Sequence, residues 1–295
     1  MSVITSWPAV PSRISIVWSY LKRAGPGGVN AEEFRCLFSP RSLQAGQHDD
    51  EDERSGTSIA DHVVNEMRNL GLVQSGMDGS FALAPGAPNG DEGVLLTFLE
   101  RRLLDPGEAE LCGQKAFPLA LAWFLVQDPA IPLSWGQNYS GQVQDDCGRE
   151  SGSFELTNHS AFEQFVYWAR YLGFAWRLET LGVNVVFPDP TQGITRYLPA
   201  VTDAGRRPIR DVMSALALRL PVLEGGTARA EIESRLPAAK RLLDGYLSRS
   251  TSLALERLEL LGRIVLERVA DAPAVSLDRA TGPRAVSHIT RRNGG

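Results

Sequence analysis

At 295 residues the chain exceeds one ordinary small domain and implies two or three. Apolar residues make up 43% and charged residues 22%, which allows a packed core and excludes intrinsic disorder. Three cysteines at no recurring spacing exclude a disulfide scaffold and fit a reducing compartment, and a net charge of −5, taken whole, argues against nucleic acid.

Residues 1–11 lack a basic stretch followed by an apolar run, so no secretory signal is expected. Residues 11–24 place Ile14, Val17, Trp18 and Leu21 on one helical face and break at Gly25-Pro26-Gly27-Gly28. A short helix follows over 30–38, with Phe34, Leu37 and Phe38 apolar and Cys36 read as core, and stops at Pro40. Five consecutive acids, Asp49, Asp50, Glu51, Asp52 and Glu53, form an acidic loop. Ser58 and Asp61 have capping-box spacing ahead of a stripe made by Val63, Val64, Met67 and Leu70. Gly71 suits a left-handed helix stop, and strands at 72–74 and 80–83 flank a turn at Asp78-Gly79. Residues 92–111 read as one amphipathic connecting helix carrying Leu95, Leu96, Leu99, Leu103 and Leu104.

The stripe, the glycine and the two strands recur. Phe165, Val166, Ala169 and Leu172 precede Gly173, and Ala254, Leu255, Leu258 and Leu261 precede Gly262, at the same offsets. Offsets of i, i+1, i+4 and i+7 line one helical stripe. Ser160 with Glu163, and the hydroxyls at 250–252, are the expected caps. Strands are expected at 175–178 and 183–187 around Gly182, and at 263–268 and 274–277. A helix with a glycine stop and a hairpin is the second half of a winged helix-turn-helix. The first half reads clearly at 11–38 and again at 208–236, broken by Gly225-Gly226. In the middle copy 117–126 offers a first helix, but 128–159 is polar and resembles nothing in the other two. The stretch 116–126, interrupted by Pro118, is far shorter than the roughly 20 residues a membrane helix needs, so a cytoplasmic protein is expected.

Split at Pro190, the charge separates into −11 for residues 1–190 and +6 for residues 191–295. Arginine supplies nearly all the late cations, and its planar fork suits phosphate. The third helix of a winged helix enters the major groove, so Arg249, Ser250, Thr251, Ser252, Arg257 and Arg263 are the expected DNA contacts. The competing reading makes Arg257 with Glu256 or Glu259, and Arg263 with Glu267, local surface pairs. The acids at 49–53 would repel phosphate and are assigned to a protein partner. Phe162, Phe165 and Phe174 follow the buried stripe. Tyr167, Trp168 and Tyr171 lie off it, and Trp168 and Tyr171 are assigned to a neighbouring domain or partner, with base stacking as the other reading.

Nothing points to catalysis, a cofactor or a metal. No GxxxxGK[ST] loop, GxGxxG or GxSxG occurs, and His48, His62, His159 and His288 are scattered. Cys112 and Cys147 lack a CxxC partner, and Asp145 with Asp146 reads as solvated loop.

The opening Pro8-Ala9-Val10-Pro11-Ser12-Arg13, the apolar helix after it, and Leu37-Phe38-Ser39-Pro40-Arg41-Ser42-Leu43 resemble the DpdG family. Its members are encoded in bacterial gene clusters that put 7-deazaguanine derivatives into DNA. The resemblance covers about the first 90 residues and implies an accessory role in DNA modification, restriction or phage defence, with no active site to carry over. The acidic loop has no counterpart in that resemblance.

The expected fold is mainly α with small β-hairpins, as tandem winged helix-turn-helix units. Its parts are 1–88, a winged helix with the acidic insertion; 89–112, a connecting helix; 113–200, an elaborated and degenerate unit; and 201–295, a basic unit with its tail. The expected function is a non-enzymatic DNA-associated or adaptor subunit, partnered by other proteins of its system and by DNA, with no membrane contact. The alternatives are a purely protein–protein scaffold and a transcriptional regulator, the latter disfavoured because asymmetric tandem units do not suit a palindromic operator.

Overall fold

The computed structural model describes residues 2–40, 58–76, 79–148, 154–202 and 205–292. The chain is mainly helical, and among the described residues its strands form four sheets of two or three strands each.

Helix α1 (Pro11–Ala24) starts on a proline and ends at Gly25, buries Ile14, Val17, Trp18 and Leu21, and is followed by a bridge between Val29 and Phe81. At Gly28, with φ of 69°, an added Cβ would sit 2.7 Å from the Phe81 carbonyl oxygen. Only glycine lets the chain pass there. Helix α2 (Ala31–Phe38) is capped by Asn30, and α3 (Ile59–Asn69) by the capping box of Ser58 and Asp61. Phe34 is the buried residue of α2, while Cys36 and Leu37 face solvent, contrary to the core placement expected for Cys36. Strands β1 (Val73–Ser75) and β2 (Phe81–Leu83) pair antiparallel, so β2 lies between Val29 and β1.

The connecting segment is two helices, α4 (Glu92–Leu104) and α5 (Pro106–Leu111). Pro106 disfavours helical geometry at Asp105, which adopts φ −68° and ψ 122° and caps the second helix by accepting from Glu108 N–H.

Helix α6 (Ala116–Val126) is buried from Ala116 to Leu125. A helix apolar all round belongs in a core, and α6 contacts elements on both sides of it in sequence. Among the described residues no helix is long and apolar enough to cross a membrane. The polar stretch after it is not the irregular insertion expected. It supplies β3 (Leu133–Ser134) and α7 (Ser140–Cys147), and α8 (His159–Tyr171), β4 (Ala175–Thr180) and β5 (Val183–Pro188) follow. The sheet order is β3-β5-β4, the same arrangement as Val29-β2-β1, so this middle region repeats the first. Asn158, not Ser160, caps α8.

The last third departs from that plan. Helix α9 (Thr191–Val201), unforeseen from the sequence, leads to β6 (Arg206–Pro208), α10 (Ile209–Arg219), α11 (Thr227–Arg235), β7 (Tyr246–Leu247) and α12 (Arg249–Leu260). Strands β8 (Ile264–Glu267), β9 (Val275–Leu277), β10 (Arg284–Val286) and β11 (His288–Arg291) complete it. The expected hairpin of 263–268 with 274–277 does not form. β8 pairs with β11, while β9 lies between β10 and a parallel β7. The arginine-rich tail is responsible, because it buries Val286 and Ile289 as strand residues.

All three stripe helices end alike. Gly71, Gly173 and Gly262 have φ of 75°, 78° and 67°. Each glycine N–H donates to the carbonyl three residues back at 2.9, 3.0 and 2.9 Å. The next N–H reaches five residues back at 2.8, 2.8 and 2.9 Å. These are three Schellman stops. One continuous apolar cluster joins all three regions.

Candidate functional site

Helix α12 was expected to present its first turn to DNA, and instead it is built into the protein. The side chains of Ser250, Thr251 and Ser252 are fully buried. The Ser250 hydroxyl donates to the Leu125 carbonyl of α6 at 2.6 Å and Thr251 to Glu224 Oε2 at 2.8 Å. Ser252 donates to the Leu247 carbonyl and accepts from Asp278 N–H. The helix cap is Ser248. Burial opposes ionisation of Glu224, but Arg229, Ser248 and Thr251 together hold its carboxyl below the usual value. The three hydroxyls are structural, and their assignment as DNA contacts is corrected.

Arg249 bridges Asp128 at 2.5 Å and Asp278 at 3.2 Å, and Arg257 pairs with Asp189. The local pairs expected along the helix are replaced by distant ones: Glu256 takes Arg279, Glu259 takes Arg284, and Glu267 takes Arg206. What α12 shows to solvent is Leu253, Arg257 and Leu260, the last 87% exposed. That face is apolar apart from one paired arginine.

Open positive charge lies on the sheet β6-β11-β8. Ile264, Leu266 and Ile289 point into the core, so Arg263, Val265 and Glu267 point outward with His288, Thr290 and Arg292, by the two-residue alternation of strands. Register sets Thr290 between Arg206 and Val265, and the Arg292 N–H donates to the Arg263 carbonyl at 2.8 Å. Arg263, Arg268 and Arg292 are exposed and pair with no carboxylate among the described residues. Of the residues expected at DNA, Arg263 alone retains an open guanidinium. The period-2 signal at 284–292 would have located this sheet.

The partner-binding residues fare differently. Asp49, Asp50, Glu51, Asp52 and Glu53 lie outside the described residues, as does His48. Trp168 is fully buried, its indole N–H donating to the Ala9 carbonyl at 3.1 Å, and Tyr171 is half-buried edge-on to it at 6.2 Å. The segment before α1 lies over α8, so Trp168 serves an interface within the chain and is corrected as a partner residue. The exposed aromatics nearby are Trp7, Trp176 and Tyr167. Helix α3 keeps its polar face open, where Arg68 holds Asn65 and Ser75, each at 2.6 Å, and Arg35 pairs with Asp61 at 2.9 Å.

Among the described residues no three His, Cys, Asp or Glu side chains are grouped to hold a metal ion. Cys112 and Cys147 are buried, and burial pushes both thiols up, Cys147 to about 11. Asp146 is not solvated loop. It is buried and receives the Trp123 indole at 2.9 Å and Lys240 at 2.5 Å.

No curated protein and no solved structure matches this chain. A comparison with known families matches residues 1–272 to the DpdG-like family. The match runs through the unit of α1 to α3, its repeat around α6 to α8, and on past β8, so the chain belongs to the DpdG-like family.

Proposed function

We propose that this chain is a non-catalytic, DNA-associated adaptor subunit of the multi-gene 7-deazaguanine system to which its family belongs, and that it meets duplex backbone through the outward face of the β6-β11-β8 sheet. The first two regions have the helix, strand, helix, helix, hairpin order of winged helix-turn-helix units. The third keeps the helices and replaces the wing with two small sheets. The observation that carries the reading is the adjacency of Arg263 and Arg292, exposed and without carboxylate partners among the described residues. Such guanidinia suit phosphate oxygens.

Duplex binding by fluorescence anisotropy across a salt series tests it. Each phosphate contact contributes a slope of about −0.9 in log K against log salt, so changing Arg263, Arg268 and Arg292 together to Ala should flatten the slope by about 2 to 3. Arg249→Ala and Arg257→Ala remove guanidinia already paired with aspartates and should leave the slope unchanged. An unaltered slope in the triple variant sinks the reading.

A protein–protein scaffold without DNA contact draws its support from the exposed Leu253, Leu260 and Leu261 around α12. Absence of any duplex binding at low salt would select it.

A further inference from the structure

We infer that the groove between α1 and α8 binds unpaired nucleobases of single-stranded DNA. The groove has a volume of about 990 Å³, at the upper end of ordinary ligand sites. Its floor carries Gln164, which is 1% exposed. The Gln164 amide nitrogen donates to the Ser6 and Ala9 carbonyls, both at 3.1 Å. Two acceptors on that side settle which end of the amide is nitrogen. The oxygen, Oε1, is buried and has no hydrogen-bond partner. A buried acceptor left unmet is rare and unfavourable, and a donor brought in through the groove would satisfy it.

The walls identify the donor. Trp7 is 60%, Trp176 50% and Tyr167 38% exposed, and all three line the groove with Gln164. Aromatic rings held open to solvent offer flat faces on which bases stack whatever their sequence. Arg13 and Arg170 line the groove as well, opposed by Glu92 and Glu163. With those charges balanced, a bare phosphate gains little, whereas a neutral planar ring with an N–H edge gains both stacking and the amide acceptor. The exocyclic amines of adenine and cytosine provide such an edge. Bases in a duplex are stacked and paired, so an unpaired strand is the form that fits.

This inference rests on the nucleic-acid reading above but uses a separate surface, so the two fail separately. Labelled oligo(dA) is titrated by anisotropy beside an abasic oligonucleotide of equal length. Oligo(dA) should bind more tightly than the abasic strand, and changing Trp7 and Trp176 together to Ala should weaken it by about tenfold or more. Gln164→Met should weaken oligo(dA) several-fold and leave the abasic strand unaffected. Because the Gln164 amide also ties down residues 6–9, its variant is checked by thermal melting, and the solvent-exposed tryptophan pair provides the independent test. Equal binding of both strands, or wild-type affinity in the tryptophan variant, overturns the site. So does a groove that takes a proline-rich peptide and no oligonucleotide. The variant lacking Arg263, Arg268 and Arg292 should keep oligo(dA) binding. If duplex binding is absent and oligo(dA) holds, only the earlier reading falls.

Discussion

The three glycine stops share one backbone geometry and differ in what surrounds them, which allows a graded experiment with alanine at each. An L residue in the left-handed region costs roughly 1–2 kcal/mol, and loss of glycine's unfolded-state freedom returns about 0.4–1 kcal/mol. At Gly262 an added Cβ meets nothing within 4 Å, so Gly262→Ala should cost only that difference, about 1 kcal/mol. At Gly71 the nearest atom is Nη2 of Arg102 at 3.2 Å, the end of a flexible side chain, and the cost should rise slightly. At Gly173 the new methyl would lie 2.7 Å from Gln192 Cβ and 3.1 Å from the Gly193 backbone nitrogen. Both belong to the first turn of α9, which is tied back by the Gly193 N–H to the Gly173 carbonyl at 3.0 Å. Neither can yield unless the helix moves, and overpacking of that kind adds about 1–3 kcal/mol. Urea unfolding followed by circular dichroism should therefore rank the variants Gly262, Gly71, Gly173 in rising cost, with unchanged m values. A Gly173→Ala variant no less stable than Gly262→Ala would refute the close approach of α9. A stabilising Gly262→Ala would refute the shared helix stop.

Two further outcomes follow from buried groups. Burial raises the Glu66 carboxyl above its ordinary value of 4.5 against the pull of Ser6, Gln114 and Asn69. The folded chain thus binds that proton more tightly than the unfolded chain, so ionised Glu66 costs stability at neutral pH. The cost vanishes as pH falls through the raised folded value towards 4.5. Glu66→Gln should stabilise at neutral pH by an increment that shrinks on acidification, read by thermal melts across pH, and an increment that grows with acid would contradict this. Maleimide labelling of the native protein, counted by mass spectrometry, should modify Cys36 alone, since Cys112 and Cys147 are buried and the Cys147 thiol is pushed to about 11. Labelling of either buried thiol without denaturant would place it wrongly.

The recurring stripe was legible because it depends on local periodicity, and so was the glycine that ends it. Helix α7 was not, since Ser140–Cys147 buries only Val143, Asp146 and Cys147. Its inward Asp146 is intelligible only beside Trp123 and Lys240, distant in sequence. The same cause misplaced Ser250, Thr251 and Ser252. Three hydroxyls at a helix start read as free polar groups until Leu125, Glu224 and Leu247 are brought to them. Trp168 lay off the predicted stripe because its partner, the Ala9 carbonyl, comes from the other end of the first region. Strands β10 and β11 were hidden by their arginines, though Val286 and Ile289 mark their buried face.

The separation of charge along the chain has a use inside the fold. Among the described residues, ion pairs that cross the division at residue 190 are Glu100 with Arg196, Asp146 with Lys240, Asp128 with Arg249, and Asp189 with Arg257. Exposed pairs contribute little, about 0–1 kcal/mol, but Glu100 and Asp146 are each 2% exposed, and removing the cation from a buried pair costs roughly 3–5 kcal/mol. That part of the late positive charge therefore neutralises early acids and holds the regions together. It cannot at the same time be counted towards phosphate. The stripe helices are each engaged within the chain. Helix α8 lies under the segment before α1, α12 is anchored by its first turn to α6, and α3 shows Asp61 beside Arg35. Once the self-paired arginines are set aside, Arg263, Arg268 and Arg292 are exposed cations beside the last sheet that pair with no carboxylate among the described residues, and they are the ones the proposed duplex contact uses.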